Sequence, residues 1–213
     1  MDVTTGAGAQ PILNITGERV ALGPFRRDLL PLYTRWFNDF SVTLPYLLNL
    51  GPRTLESRQA WYDGIAAGEP GRVDFTIYER LTLRAIGWTN LDAIDHAQRR
   101  AQYNICIGER DCWGKEYGTE TTILMLDYGF TILGLHNIML QVDSYNERAI
   151  RCYRRAGYKE IGRRREARRV RDRVYDRVFM DCLSSEFRSP VLHALLPAEG
   201  LGRAHTGETD RGS

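Results

Sequence analysis

Two groups of residues in this chain have the types and spacing that chemistry requires. The first is the segment Trp113-Gly114-Lys115-Glu116-Tyr117-Gly118-Thr119-Glu120, which lies where a strand pattern gives way to a helical one. The first N–H groups of a helix have no intrahelical partner and sit at the positive end of its dipole, so such a loop stabilises an anion, and a diphosphate would fit it. Glycines in a strand-to-helix loop also serve as plain turns, and the segment by itself leaves both readings open. The second group is Asn146, Ile150 and Tyr153, spaced i, i+4 and i+7 and therefore on one face of a helix. A tyrosine on an inner helix face is ordinarily core, and an asparagine before a helix is ordinarily its cap.

The remaining reactive residues form no such pattern. His96, His136, His193 and His205 lack metal-ligand spacing, and no metal is expected. Cys106, Cys112, Cys152 and Cys182 are neither closely paired nor dense, so they read as reduced thiols, mostly in the core. The arginine run from Arg163 to Arg173 falls between two strand patterns, where it reads as a solvated turn; a patch for an acidic partner or substrate is the sharper alternative.

These residues must be held by a folded domain, and the composition provides for one. With 213 residues, 43% hydrophobic and 26% charged, the chain suits a single globular unit. A net charge of +2 is too small to imply nucleic-acid binding. The richest apolar stretch, Thr121 to Leu140, carries Asp127 and His136, so no membrane span is expected. Met1 to Gln10 has no basic region followed by an apolar one, which points to the cytoplasm.

Periodicity then orders the elements. Val20 to Leu22 reads as a strand, and Leu29, Leu32, Tyr33 and Trp36 recur at helical spacing after Pro24. A second helix begins near Thr54 and runs towards Gly68. Val73 to Tyr78, Ala85 to Leu91 and Arg99 to Ile107 read as antiparallel strands. After the loop, a helix to about Leu133 precedes a strand over Asn137 to Val142. A helix from Asn146 to Ala156 stops at Gly157, and two strands follow, Tyr158 to Arg165 and Val174 to Cys182. This order predicts an α/β fold with a mixed, mostly antiparallel sheet of about six or seven strands flanked by helices. Its parallel pair spans the helix that starts at Gly118, and a ligand is expected where those two strands end and splay. Residues 1–16 and 188–213 are expected to be flexible ends around a domain of 17–187.

From Asp127 the chain runs DYGFTILGLHNIMLQV, then DSYNERAIRCYRRAGYKEIG, and closes with RVYDRVFMDCL. In these segments it resembles the GNAT N-acetyltransferases, in particular the ribosomal-protein-alanine acetyltransferases of the RimJ and RimL type and the spermidine acetyltransferases. The resemblance covers about Glu18 to Leu183, and its specific part begins at Ala101. It implies the GNAT fold with its splayed strands, acetyl-coenzyme A as acyl donor, and a primary amine as acceptor: a protein N-terminus, a polyamine, or a small-molecule amine or antibiotic. In that family the pantetheine arm pairs with the strand before the loop, which here is Ile105, Cys106 and Ile107. The loop amides bind the diphosphate, which assigns Trp113, Gly114, Lys115, Glu116, Tyr117, Gly118 and Thr119 to the cofactor. Asn146 matches a cofactor-binding asparagine, and Tyr153 the tyrosine that protonates the departing sulfur.

Two departures bear on the chemistry that the resemblance implies. Glu116 stands where the family motif usually has its second glycine, so a carboxylate beside the diphosphate would weaken cofactor binding. Gln102 stands where some relatives carry a glutamate, which leaves Glu109, Asp143 or an ordered water as candidates for the general base. The alternative to an enzyme is an acyl-coenzyme A-binding module of the same fold that has lost turnover. A homodimer is compatible with either reading.

Overall fold

The computed structural model describes residues 10–44, 51–68 and 70–197; the expected flexible ends therefore lie partly outside the described residues, at 1–9 and 198–213, as does His205. Eight strands build one sheet: β1 (Ile15–Thr16), β2 (Val20–Gly23), β3 (Val73–Glu79), β4 (Ala85–Asp95), β5 (Arg100–Ile107), β6 (Asn137–Asp143), β7 (Lys159–Val170) and β8 (Arg173–Leu183). Their order is β1-β2-β3-β4-β5-β6-β8-β7. All neighbours are antiparallel except β5 and β6, which are parallel across the intervening helix. β1 is the strand that periodicity does not show, because two residues are too few to alternate.

Among the described residues five α-helices flank the sheet: α1 (Leu30–Asn38), α2 (Phe40–Thr43), α3 (Leu55–Ala66), α4 (Tyr117–Asp127) and α5 (Glu147–Ala156). Thr54 caps α3, its hydroxyl accepting from the Ser57 N–H at 3.2 Å. α5 stops at Gly157, whose φ of 109° few other residues adopt. Among the described residues no helix is long and apolar enough to cross a membrane.

The helix expected to run to Leu133 is α-helical only to Asp127 and continues as a π turn over Tyr128–Ile132. The widened turn brings Gly129 against β6, where a Cβ would lie 2.4 Å from Ile138 Cδ1. Asp127, fully buried, accepts there from the Thr131 hydroxyl at 2.9 Å and from the N–H groups of Val191 and Leu192 at 3.0 Å each. Those contacts draw the chain as far as Leu192 into the packed unit.

The arginine run requires a correction. It is not a turn: β7 and β8 extend through it, and only Arg171 and Asp172 connect them. β7 is the sheet edge and is exposed along most of its length, so past Arg165 no apolar alternation marks its continuation as a strand.

Alternation along β5 and β6 separates two cores. Ala101, Tyr103 and Ile105 of β5 share a face with Ile138, Leu140 and Val142 of β6, and this face packs against α4 and α5 through Leu124, Met125, Ile150 and Tyr153. The opposite face, with Trp88 and Cys106, packs against Tyr33 and Trp36 of α1. Each fully buried aliphatic or aromatic side chain contributes about 1.5–3 kcal/mol, enough for the two layers to hold the strands between them in fixed register.

Candidate active site

β5 and β6 are paired only over Arg100–Gln102 and Asn137–Met139. Beyond that point β6 stays with β8 as far as Asp143, while β5 stays with β4 as far as Ile107, so the parallel strands part in a V. The Gly108 N–H donates to Ile86 O at 2.8 Å, which fixes the alternation of β5. The backbone groups of Tyr103, Ile105 and Ile107 therefore point away from β4, into the V. Trp113 Nε1 donates to the carbonyl of Ile107 at 2.9 Å and pins the start of the loop to that edge.

The loop turns into α4 through two left-handed residues, Gly114 at φ 77° and Glu116 at φ 64°. The second explains why a glycine suits this position: a side chain resists that conformation. Glu116 is the N-cap residue of α4, yet its side chain makes no capping bond. The carboxylate turns instead to Arg155 of α5 at 2.6 Å, which holds its pKa below the usual range. The Glu120 N–H is taken by Glu116 O, so the amides of Tyr117, Gly118 and Thr119 are the donors left at the helix start. Tyr117 is held by its hydroxyl donating to Glu79 Oε1 at 2.7 Å, and that bond raises its pKa to about 12.

α5 forms the other wall. Asn146 Oδ1 accepts from the Ala149 N–H at 3.2 Å, so the side chain is a helix cap that also borders the groove. Tyr153 is buried in a trio with Tyr103 and Tyr158, ring centroids 6.0–6.3 Å apart. Burial, and then the neighbouring Cys152, push its pKa well above that of a free phenol, so it is neutral at ordinary pH.

Ile105, Ile107, Trp113, Gly114, Glu116, Tyr117, Gly118, Thr119, Asn146 and Tyr153 all border one groove. Cys106 and Lys115 do not; the Cys106 side chain lies on the opposite face of β5, with Trp36 and Trp88. Three arginines that sequence reasoning missed border the groove as well. Arg148 stacks over Trp113 at 4.1 Å, Arg151 pairs with Glu147 at 3.2 Å, and Arg155 holds Glu116. Their spacing of three and four residues on the Tyr153 helix was the available signal.

The two carboxylates considered as general base are both engaged. Glu109 binds the Arg35 guanidinium and accepts from Trp36 Nε1 at 2.8 Å. Asp143, with its side chain 3% exposed, lies between Arg168 at 3.0 Å and Arg177 at 2.9 Å.

A splayed parallel pair, an uncapped helix start and a buried phenol at one groove define a class of fold and site. Residues 19–159 match the family model of the Acetyltransferase (GNAT) domain, and the chain belongs to that family. Spermidine N(1)-acetyltransferase of Escherichia coli K12 is 41% identical over 76 residues, 36% of this chain and 40% of that relative's length. The uncharacterized N-acetyltransferase p20 of Bacillus licheniformis is 26% identical over 175 residues, 80% of this chain and 96% of its own. A solved structure of spermidine N-acetyltransferase from Vibrio cholerae, in complex with CoA and spermine, superposes with a TM-score of 0.73. It covers 80% of this chain and 98% of its own at 24% identity, which bears on the fold alone.

Proposed function

We propose that this chain is an acetyl-coenzyme A-dependent N-acetyltransferase whose acceptor, a primary amine, attacks the thioester directly in a ternary complex. The observation that carries this reading is the meeting of three features at one groove. They are a strand edge with amides unpaired by β6, a helix start whose N-cap side chain turns away, and a neutral phenol on the facing helix. The first suits the amide-bearing pantetheine arm, the second a diphosphate, and the third a departing thiolate.

In the reaction the amine nitrogen bonds to the carbonyl carbon, the carbon–sulfur bond breaks, the nitrogen loses a proton and the sulfur gains one. Backbone N–H groups of β5 in the V stabilise the oxyanion. Tyr153 faces the sulfur as a hydrogen-bond donor. Its pKa lies above the free-phenol value of about 10, against about 8.5 for a thiol, so complete transfer would be uphill by about 2 kcal/mol or more. The phenol therefore stabilises the thiolate by a hydrogen bond, and the thiolate takes its final proton from solvent. Water takes the amine proton, since arginines hold both Glu109 and Asp143.

The names of the relatives point to a polyamine acceptor, and a protein N-terminus is the other class that fits. A binding module without turnover drew support from Glu116 and Gln102; with Glu116 turned to Arg155, only Gln102 favours it. The test is thiol release from acetyl-coenzyme A with a panel of polyamines, peptides and small amines. Release that requires both an amine and the intact chain is expected. Cofactor binding without release from any amine would overturn the enzyme reading.

A further inference from the structure

The groove and α5 occupy one face of the sheet, so an acceptor reaches the V from the other. On that face β6 presents Gln141 and Asp143, since Met139 is in register with Gln102 and shares its side. Asp143 does not offer a negative charge to the acceptor. Arg168 donates through Nε to its Oδ2, and Arg177 through Nε to its Oδ1, so two guanidiniums meet one carboxylate with a net positive charge. Both arginines stay partly open, their side chains 28% and 24% exposed, and Arg177 Nη1 donates to Gln141 Oε1 at 3.3 Å.

The positive charge continues along the hairpin. Register places Arg164 opposite Arg177 and Arg168 opposite Tyr175, and alternation along β8 puts Arg173 on the same face. From Arg177 to Arg173 is four residues, about 13 Å of strand. Among the described residues neither Arg164 nor Arg173 has a carboxylate partner. The segment Arg163 to Arg173 holds seven arginines against Glu166 and Asp172. A polycation on this path would meet like charge at each step, whereas a carboxylate meets guanidinium donors with which it can form paired hydrogen bonds.

We propose that the acceptor is the N-terminal amine of a peptide whose following residues are acidic, bound along the row Arg177, Arg168, Arg164 and Arg173. This deepens and rests on the acetyltransferase reading above, and it selects a peptide over a polyamine. A single carboxylate would need only the pair at Asp143, whereas a row of about 13 Å suits several charges on one extended segment.

The test compares peptides that share an N-terminal residue and carry four glutamates, four glutamines or four lysines after it, with spermidine alongside. The expected kcat/KM is at least tenfold higher for the glutamate peptide than for the glutamine peptide, and lowest for the lysine peptide. The glutamate-to-glutamine ratio is expected to fall towards one at high salt and in the Arg164→Gln/Arg173→Gln variant, both sites being exposed. A better rate with the lysine peptide or spermidine, or a ratio unmoved by the double substitution, overturns the proposal. A thermal shift with acetyl-coenzyme A reports separately on the underlying reading: a shift without acetylation of any peptide sinks the acidic acceptor alone. Binding of fluorescent glutamate peptide to the cofactor-free chain, compared with the glutamine peptide, reads the arginine row without catalysis, and equal affinities would also overturn it.

Discussion

At the scale of the residue, the proposed chemistry turns on one hydroxyl. Tyr153→Phe keeps the ring that packs against Tyr103 and Tyr158 and removes the only group able to donate to sulfur from that position. Turnover is expected to fall about 10²-fold with cofactor affinity nearly unchanged, measured by steady-state kinetics beside calorimetry. A wild-type rate would reduce Tyr153 to a packing residue. The same burial sets the pH dependence. In the proposed mechanism the neutral phenol is the active form, and its raised pKa keeps it protonated until the pH passes the free-phenol value of about 10. The rate is expected to rise as the acceptor amine loses its proton and to show no descending limb below about pH 10. A fall near pH 8 would assign the donor to another group. Glu116 makes a second residue-scale case. Its carboxylate is committed to Arg155, so Glu116→Gly frees that arginine for a phosphate and is expected to tighten acetyl-coenzyme A binding by roughly three- to tenfold. In the Arg155→Ala background the same change should do less, because the arginine is no longer there to be freed. Additive effects in that double-mutant cycle would show that the ion pair does not govern affinity. Spacing alone makes the common face of Asn146 and Tyr153 legible in the sequence. The link from Glu116 to Arg155 is not legible, since it joins a loop to a helix 39 positions later.

At the scale of the element, the loop depends on how α4 is anchored. Glu120 in its first turn accepts from the N–H of Glu18 at 2.5 Å and of Arg19 at 2.9 Å, tying the β1–β2 turn to the helix whose start borders the groove. Gly17 makes room for that carboxylate, since a Cβ there would lie 2.3 Å from Glu120 Oε1. Gly17→Ala and Glu120→Ala are each expected to lose about 1–2 kcal/mol and lower Tm by about 2–8 °C in a thermal melt. Unchanged melting would show that the turn and helix are held otherwise. Sequence periodicity recovers most strands and helices because each presents one apolar face to a core. It misses β1, which is too short, and the π turn, whose widening answers to Gly129 against β6. It also misreads the arginine run, since an edge strand exposed on both faces carries no alternation.

At the scale of the whole molecule, the sheet works by failing to close. β5 and β6 each keep their outer partner to the end and lose each other after Gln102 and Met139, which leaves a strand edge facing an uncapped helix start. The order of elements makes the parallel pair and its splay legible in the sequence, whereas the direction of each backbone amide needs the register. Titration of the full chain with acetyl-coenzyme A by calorimetry tests this arrangement most directly, alongside a Gly118→Asp variant. A Cβ at Gly118 meets only Cys152 Sγ at 3.5 Å, an ordinary contact, so the variant should fold while setting a carboxylate among the amides of Tyr117, Gly118 and Thr119. One molecule bound per wild-type chain, weakened at least about 10²-fold by Gly118→Asp, is the expected result. No binding by the folded wild-type chain, or equal affinity in the variant, would contradict it.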